Sequence, residues 1–318
     1  MKPTVILVIA LWAHAAPAAE PSAMDFSSGT PADYFTPDTA GHVRVAPVEG
    51  GQSMILADST ARLRDMTVKP ATKYTLSLTA AFEGDVESME DNPRFEIFSR
   101  PGKTAPRLPS RQIQFLDAAG KPAGRPLVYA MPFRSRRTYQ DVFHTPPDAA
   151  IARVALTSGK GVRLVLSRLE IAETLDEAAL NANPAFRLGP WNYSGWRNIA
   201  DGGRLIERDG KTVLDTKYGS TGEMIPLSAP GTYALSAIAT GNGYNSVVIL
   251  RVYDRQGKML MHASTRSYGP RSYFVSPKNA AYASLLVYSC LLEEVRLVRV
   301  GDEQAIELLR TPNSGGRL

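Results

Sequence analysis

Along most of this chain apolar and polar residues alternate with a period of two, which sends successive side chains to opposite faces of a strand. Residues 73–80 (KYTLSLTA) and 94–98 (RFEIF) both run this way. Residues 113–117 (IQFLD) lead into Ala118-Ala119-Gly120-Lys121, a hairpin signal. Residues 152–156 and 162–166 flank the turn Ser158-Gly159-Lys160-Gly161 and form another strand pair. No long stretch carries the helical period. The pattern predicts an all-β protein of short antiparallel strands.

The same order of strands and turns then occurs a second time. Tyr74-Thr75-Leu76-Ser77 is echoed by Tyr233-Ala234-Leu235-Ser236, and the turn closing on Gly120-Lys121 by the one closing on Gly257-Lys258. Phe143-His144-Thr145-Pro146 is echoed by Phe274-Val275-Ser276-Pro277. Residues 166–171 (LSRLEI) parallel 292–297 (LEEVRL). The offset falls from 159 positions (Tyr74 to Tyr233) to 137 (Gly120 to Gly257), so the first copy holds about 22 more residues between those points. These are expected in the loops 83–92 and 101–110. Between the copies, Thr174-Leu175-Asp176-Glu177 has the form of a helix capping box. The chain therefore divides into a first β-sandwich over 24–172, a short helical linker over 173–182, a second β-sandwich over 183–301 and a tail over 302–318.

The N-terminus changes the picture of where the protein works. Lys2 precedes the apolar residues 5–12 and then the small residues 15–19 (AAPAA), the order of a secretory signal peptide over 1–19. The apolar run is shorter than the ~20 residues a membrane helix needs, and no later segment is apolar enough to span. The protein is expected to be secreted, periplasmic or at the cell surface. Its one cysteine, Cys290, lies in an apolar run and leaves no internal disulfide. A net charge of +5 is a mild excess, and the arginines fall mostly in loops of the first copy rather than on one basic helix, so no nucleic-acid partner is expected.

The second copy resembles a jelly-roll carbohydrate-binding module of the galactose-binding-like superfamily. Its opening, Asn183-Pro184-Ala185-Phe186 with Gly189 and Gly195-Trp196, is similar to that family's first-strand signature. Pro230-Gly231-Thr232-Tyr233, the Asp254/Gly257 hairpin and the closing Leu292-Glu293-Glu294-Val295 complete the match over roughly residues 183 to 300. The first copy lacks the Gly-Trp pair and has Ser167-Arg168 where the acidic pair stands. The resemblance implies two tandem jelly-roll sandwiches and a polysaccharide or glycan ligand. It also implies a structural calcium near Glu294 and Asn183, with no cofactor required.

Sugar recognition needs aromatic faces and planar polar groups. In the second copy Trp191, Tyr193, Tyr218, Tyr244 and Tyr268 sit mostly beside Gly, Asn or Pro, where they have no automatic core role, and are the candidate ligand contacts. Arg266 and Arg271 flank Tyr268 and suit a carboxylate or sulfate. In the first copy Arg94, Arg100, Lys103, Arg107 and Arg111, together with Arg134, Arg136 and Arg137, raise the alternative of an anionic glycan or acidic protein partner.

The three histidines after the signal segment, His42, His144 and His262, have no metal-binding spacing, and no G-x-S-x-G elbow occurs. No catalytic residue is assigned. The leading expectation is a non-catalytic carbohydrate-binding protein. A structural or adhesive envelope protein is the alternative, and a glycan hydrolase or lyase the third.

Overall fold

The computed structural model describes residues 22–48, 51–88, 91, 108–174, 179–189, 192, 194–200, 204–221, 224–227, 231–240, 247–266 and 272–301. The signal segment, the residues 175–178 of the expected helix and the tail beyond 301 lie outside them. So do residues 89–90 and 92–107, where most of the first copy's extra length falls. Residues 179–182 are not helical. Ala179 bridges Val298, and the Leu180 N–H donates to the Leu297 carbonyl.

The first copy begins with β1 (Ser22–Asp25), two single-turn helices α1 (Pro31–Tyr34) and α2 (Pro37–Ala40), β2 (Val43–Val48) and β3 (Gly51–Ala57). It continues through β4 (Thr60–Arg62), β5 (Met66–Thr67), β6 (Lys73–Gly84), β7 (Ser110–Leu116) and β8 (Leu127–Ala130). Then come β9 (Arg137–His144), β10 (Ile151–Thr157) and β11 (Val162–Glu173). The second copy comprises β12 (Trp196–Ala200), β13 (Arg204–Arg208), β14 (Lys211–Thr221), β15 (Ile225–Pro226) and β16 (Thr232–Thr240). It ends with β17 (Val247–Tyr253), β18 (Met259–Arg266), β19 (Ser272–Val275) and β20 (Tyr282–Val300). The molecule is all-β, two antiparallel β-sandwiches in tandem.

In the first copy the strands form two sheets. One has the order β2-β3-β11-β6-β9 with β1 also on β11, and the other β4-β10-β7-β8 with β5 also on β10. Alternate residues of β6 (Tyr74, Leu76, Leu78, Ala80, Phe82) face Ile113 and Phe115 of β7 and Val154 and Leu156 of β10 in one core. That alternation is the period of two predicted from the sequence.

The second copy keeps this pairing scheme with fewer breaks. β14 stands for β3 and β4 together, and β20 stands for β10 and β11 together. β20 pairs β17 over 282–288 and β16 over 291–300, so its strands belong to a single nine-stranded sheet among the described residues. That sheet still closes into two layers, since Val248, Leu250 and Val252 of β17 share a core with Tyr233 and Leu235 of β16. In the first copy the breaks are latched corners. Asp58 is left-handed at φ 49°, and its carboxylate accepts the Gly161 N–H. The Ser158 hydroxyl accepts the Ser59 N–H at 3.1 Å. Gly84 abuts this corner with φ +146°, and a Cβ there would lie 2.4 Å from the Gly161 carbonyl oxygen.

The duplication holds at the level of hydrogen bonds. Asp117 Oδ1 accepts the N–H groups of Ala119 (2.9 Å) and Lys121 (2.8 Å), and Asp254 Oδ1 accepts those of Gln256 (3.0 Å) and Lys258 (2.9 Å). Gly120 and Gly257 supply the left-handed turn position, at φ 76° and 80°. The Thr145 hydroxyl accepts the Thr72 N–H (2.9 Å), as the Ser276 hydroxyl accepts that of Gly231 (3.1 Å). Tyr74 stacks on Phe143 with rings at 19°, and Tyr233 on Phe274 at 18°.

Candidate functional site

The closing strand of each copy carries the same bulge. Ser167 is the extra residue between Leu166 and Arg168 in β11, and Glu293 is the extra residue between Leu292 and Glu294 in β20. A bulge re-aims the side chains beside it. The sequence pattern, read without a bulge, sends Glu293 and Glu294 to opposite faces, one of them into the end of the sandwich. In the structure both carboxylates stay partly exposed, at 23% and 24%.

From the bulge onward, the outer face of β19-β16-β20 gathers a mixed surface. Register pairs Ile238 with Glu294, Ser236 with Arg296 and Ala234 with both Val298 and Tyr273. Residues directly opposite on an antiparallel pair share a face. Tyr273 lies half-buried against Ala234 and Val300. Across β16 and further along the same face, Arg296 donates to both oxygens of Glu294. Ile238 and Val275 leave more than half their surface exposed on the same side. An aromatic ring, a guanidinium–carboxylate pair, a hydroxyl and exposed apolar surface thus occur on one sheet face. That is the donor, acceptor and stacking set a sugar ring engages.

The residues present do not fit the implied calcium. Both Glu294 oxygens are held by a guanidinium, which repels a second cation. Glu293 accepts from Lys211 Nζ at 2.9 Å, and that bond, with the carboxylate's charge, raises the Lys211 ammonium pKa. The backbone does bring the two candidates' segments together, because the Val295 N–H donates to the Pro184 carbonyl at 2.9 Å. Asn183, however, is left-handed (φ 43°) and buried. Its amide oxygen accepts the Leu188 N–H at 3.4 Å, within its own loop. Among the described residues no three His, Cys, Asp or Glu side chains gather as metal ligands.

Of the aromatic and cationic candidates, Trp191, Tyr193, Tyr244, Tyr268 and Arg271 lie outside the described residues. Tyr218 and Arg266 are placed in β14 and β18, with their side chains outside the description. Asn192 and Ser194 are themselves described. The buried Ser194 hydroxyl accepts the Val142 N–H at 3.1 Å, and the Asn192 amide donates to the Gln140 carbonyl. Gln140 and Val142 lie on β9, the edge strand of the first copy, so the second copy's opening loop covers an otherwise open sheet edge. Lys73 Nζ adds bonds to the carbonyls of Ala179 (3.0 Å) and Asn181 (3.3 Å). Beside it, His144 has an enclosed Nδ1 with no hydrogen-bond partner among the described residues. Burial, and then the Lys73 charge, push its pKa down to about 3.

Two residues missed in the sequence matter here. Asn181 is a buried amide that donates to the Val295 carbonyl and accepts the Leu297 N–H, both at 2.9 Å. Arg296 stands two residues beyond Glu294 on the regular part of β20, so the strand period alone puts the two on one face, where they pair. The two-residue spacing of Glu294 and Arg296 could have flagged that pair, whereas for Asn181 only residue type was visible, and an amide signals neither burial nor partner.

Of the first copy's basic candidates, three of the four that are described, Arg111, Arg134 and Arg137, are engaged within its own structure. Arg111 is a correction, being buried between the sheets and not on a surface patch. It donates to both oxygens of Asp141 and to the Ala130 carbonyl, beneath the rings of Tyr129 and Tyr139. Arg134 pairs with Asp91, and the Arg137 guanidinium lies 4.0 Å from the centre of the Phe133 ring. Arg136 is exposed, while Arg94, Arg100, Lys103 and Arg107 lie outside the described residues.

No family model matches the chain, and no curated protein matches it. Solved structures do. A tandem of two family 22 carbohydrate-binding modules from Paenibacillus barcinonensis is 14% identical, over 90% of this chain and 99% of that one, at a TM-score of 0.34. Tandem family 51 modules of a glycoside hydrolase from Streptococcus pneumoniae are 11% identical, over 88% and 98%, at 0.25. A family 16 carbohydrate-binding module is 13% identical, over 46% and 97%, at 0.32. This chain is similar to carbohydrate-binding modules, singly and in tandem. The architecture itself is fixed by the strand pairing described above.

Proposed function

We propose that the protein is an exported, non-catalytic carbohydrate-binding protein whose second copy carries a sugar site on the outer face of β19-β16-β20. The observation that carries this reading is that the half-buried Tyr273 ring and the Arg296–Glu294 pair share one sheet face. A ring fixed by packing offers stacking area at little entropic cost, and a guanidinium held flat by a carboxylate presents pre-aimed donors to hydroxyl groups. Trp191, Tyr193, Tyr218, Tyr244, Tyr268, Arg266 and Arg271 stay proposed as glycan contacts of the second copy without being assigned to that face, and Arg266, on β18, belongs to the opposite layer. Export rests on the N-terminal charge and apolar pattern; no described helix is long and apolar enough to cross a membrane.

The test is a glycan array with the secreted chain, followed by calorimetry on the best ligand. Tyr273→Ala and Arg296→Ala are each expected to weaken binding about tenfold or more, near 1.4 kcal/mol. Unchanged affinity in both variants removes the site from that face. A second reading, an adhesive protein docking through this face, is favoured by the exposed Ile238 and Val275. It predicts an empty array and protein binding lost on Ile238→Lys.

A further inference from the structure

Where the two copies meet, a groove of about 490 Å³ opens between Pro147 of the first and Leu227, Ala280 and two turns of the second. Those turns are the duplicated ones already described, and they have kept their backbone while changing their decoration. The Asp117–Lys121 turn carries Ala118 and Ala119 where the Asp254–Lys258 turn carries Arg255 and Gln256. The turn after Pro146 carries Pro147 and Asp148 where the one after Pro277 carries Lys278 and Asn279. Asp and Gly hold the first turn in both copies, and the Pro carbonyl accepts an Ala N–H in both second turns, at 3.1 and 3.0 Å. The four changed side chains are therefore not needed to make the turns, and all four line the groove.

Their chemistry is specific. Arg255 and Lys278 are exposed cations with no ion pair among the described residues. Gln256 and Asn279 supply planar amides beside them, and Leu227 and Ala280 supply an apolar floor. The Asp254 carboxylate, the acidic group lining the groove, is turned into its own hairpin and accepts two backbone N–H groups. Asp148 sits nearby, close enough with Arg255 to act on the Tyr282 hydroxyl. With Asp254 it offsets the two cations in formal charge, so what the groove offers an anion is the two exposed cationic ends of Arg255 and Lys278, free of an ion pair among the described residues, and not a net positive field.

We propose that this groove binds a carboxylate-bearing sugar, such as a uronic acid residue. Arg255 and Lys278 grip the carboxylate, Gln256 and Asn279 bond the ring hydroxyls, and the floor covers the apolar edge of the ring. The sugar ring rests on the carbohydrate-binding reading above, whereas the carboxylate rests on the groove alone. It is a site separate from Tyr273 and Arg296.

Calorimetry on the full mature chain tests it, titrating a uronic-acid disaccharide, its uncharged methyl ester and the corresponding neutral disaccharide. The uronate is expected to bind about tenfold more tightly than its ester, with the difference shrinking as salt rises. Arg255→Gln and Lys278→Gln should each erase that difference, while Tyr273→Ala should preserve it. Both cations are exposed, so the variants are expected to melt as the parent does. Equal binding of uronate and ester, or an unchanged difference in both variants, overturns the groove. If neutral glycans still bind in a Tyr273-dependent way, the sugar-binding reading survives that result. If no glycan of either charge binds, both readings fall.

Discussion

The two copies share one strand plan and one set of turn devices, yet they solve two positions in opposite ways. Arg111 and Asp141 of the first copy correspond in register to Val248 and Ser272 of the second. One copy closes its sheets over a buried ion pair roofed by tyrosines, and the other has a buried Val248 in its apolar core and a partly exposed Ser272 at those places. Likewise His144 corresponds to Val275. The first lies at the junction with an enclosed ring nitrogen, and the second is exposed. The scaffold thus tolerates polar or apolar chemistry at each place. What differs is whether another element covers the position, and hence whether its charge keeps water.

The largest effect expected from breaking that contrast comes at the ion pair. Burial raises the Asp141 pKa and the Arg111 charge opposes the rise. Asp141→Ala leaves Arg111 buried and unpaired, at an expected cost of about 3–5 kcal/mol. The double variant Arg111→Val with Asp141→Ser copies the second half and should recover most of that loss, both read from urea unfolding. A double variant as unstable as the single one would show that the second copy's solution does not transfer.

His144 comes next. Its folded pKa of about 3 lies below the 6.5 of the exposed ring, so the unfolded chain binds a proton first as pH falls. The stability that this neutral ring contributes is full above pH 6.5 and is lost as pH drops toward 3, an expected loss of about 2–4 kcal/mol. His144→Val should flatten that limb of the stability–pH curve between those values. An unaltered limb would remove His144 as its source.

Gly84→Ala addresses the corner that the second copy lacks. A Cβ set against the Gly161 carbonyl should cost about 1–3 kcal/mol, seen as a lower urea midpoint, and an unchanged midpoint would mean the corner yields. The smallest expected effect is Ser194→Ala. Loss of the hydroxyl that accepts the Val142 N–H should cost about 1 kcal/mol. It should also speed hydrogen exchange at Val142 while leaving amides of β16 unchanged.

How much of this was legible depends on the kind of feature. Strand period, turn chemistry and the order of both were readable for the two copies, because Asp-x-x-Gly turns and alternation are local. The fused strand β20 was partly legible, since residues 282–292 hold no glycine or proline to match Ser158-Gly159-Lys160-Gly161. The bulge was not. An extra residue in a strand leaves no mark on residue type, so the face to which Glu293 and Glu294 turn could not be read. Arg111 looked like a surface cation because burial of a charge depends on a partner 30 residues away.

The sequence by itself determined that this chain folds as two successive sheet-on-sheet bodies, because alternation and turns act over a few residues and need no partner to be recognised. Tertiary structure alone decided which charges are buried, which edge is covered and where the two bodies leave a groove. Those properties depend on desolvation by distant segments, and distance along the chain carries no record of it.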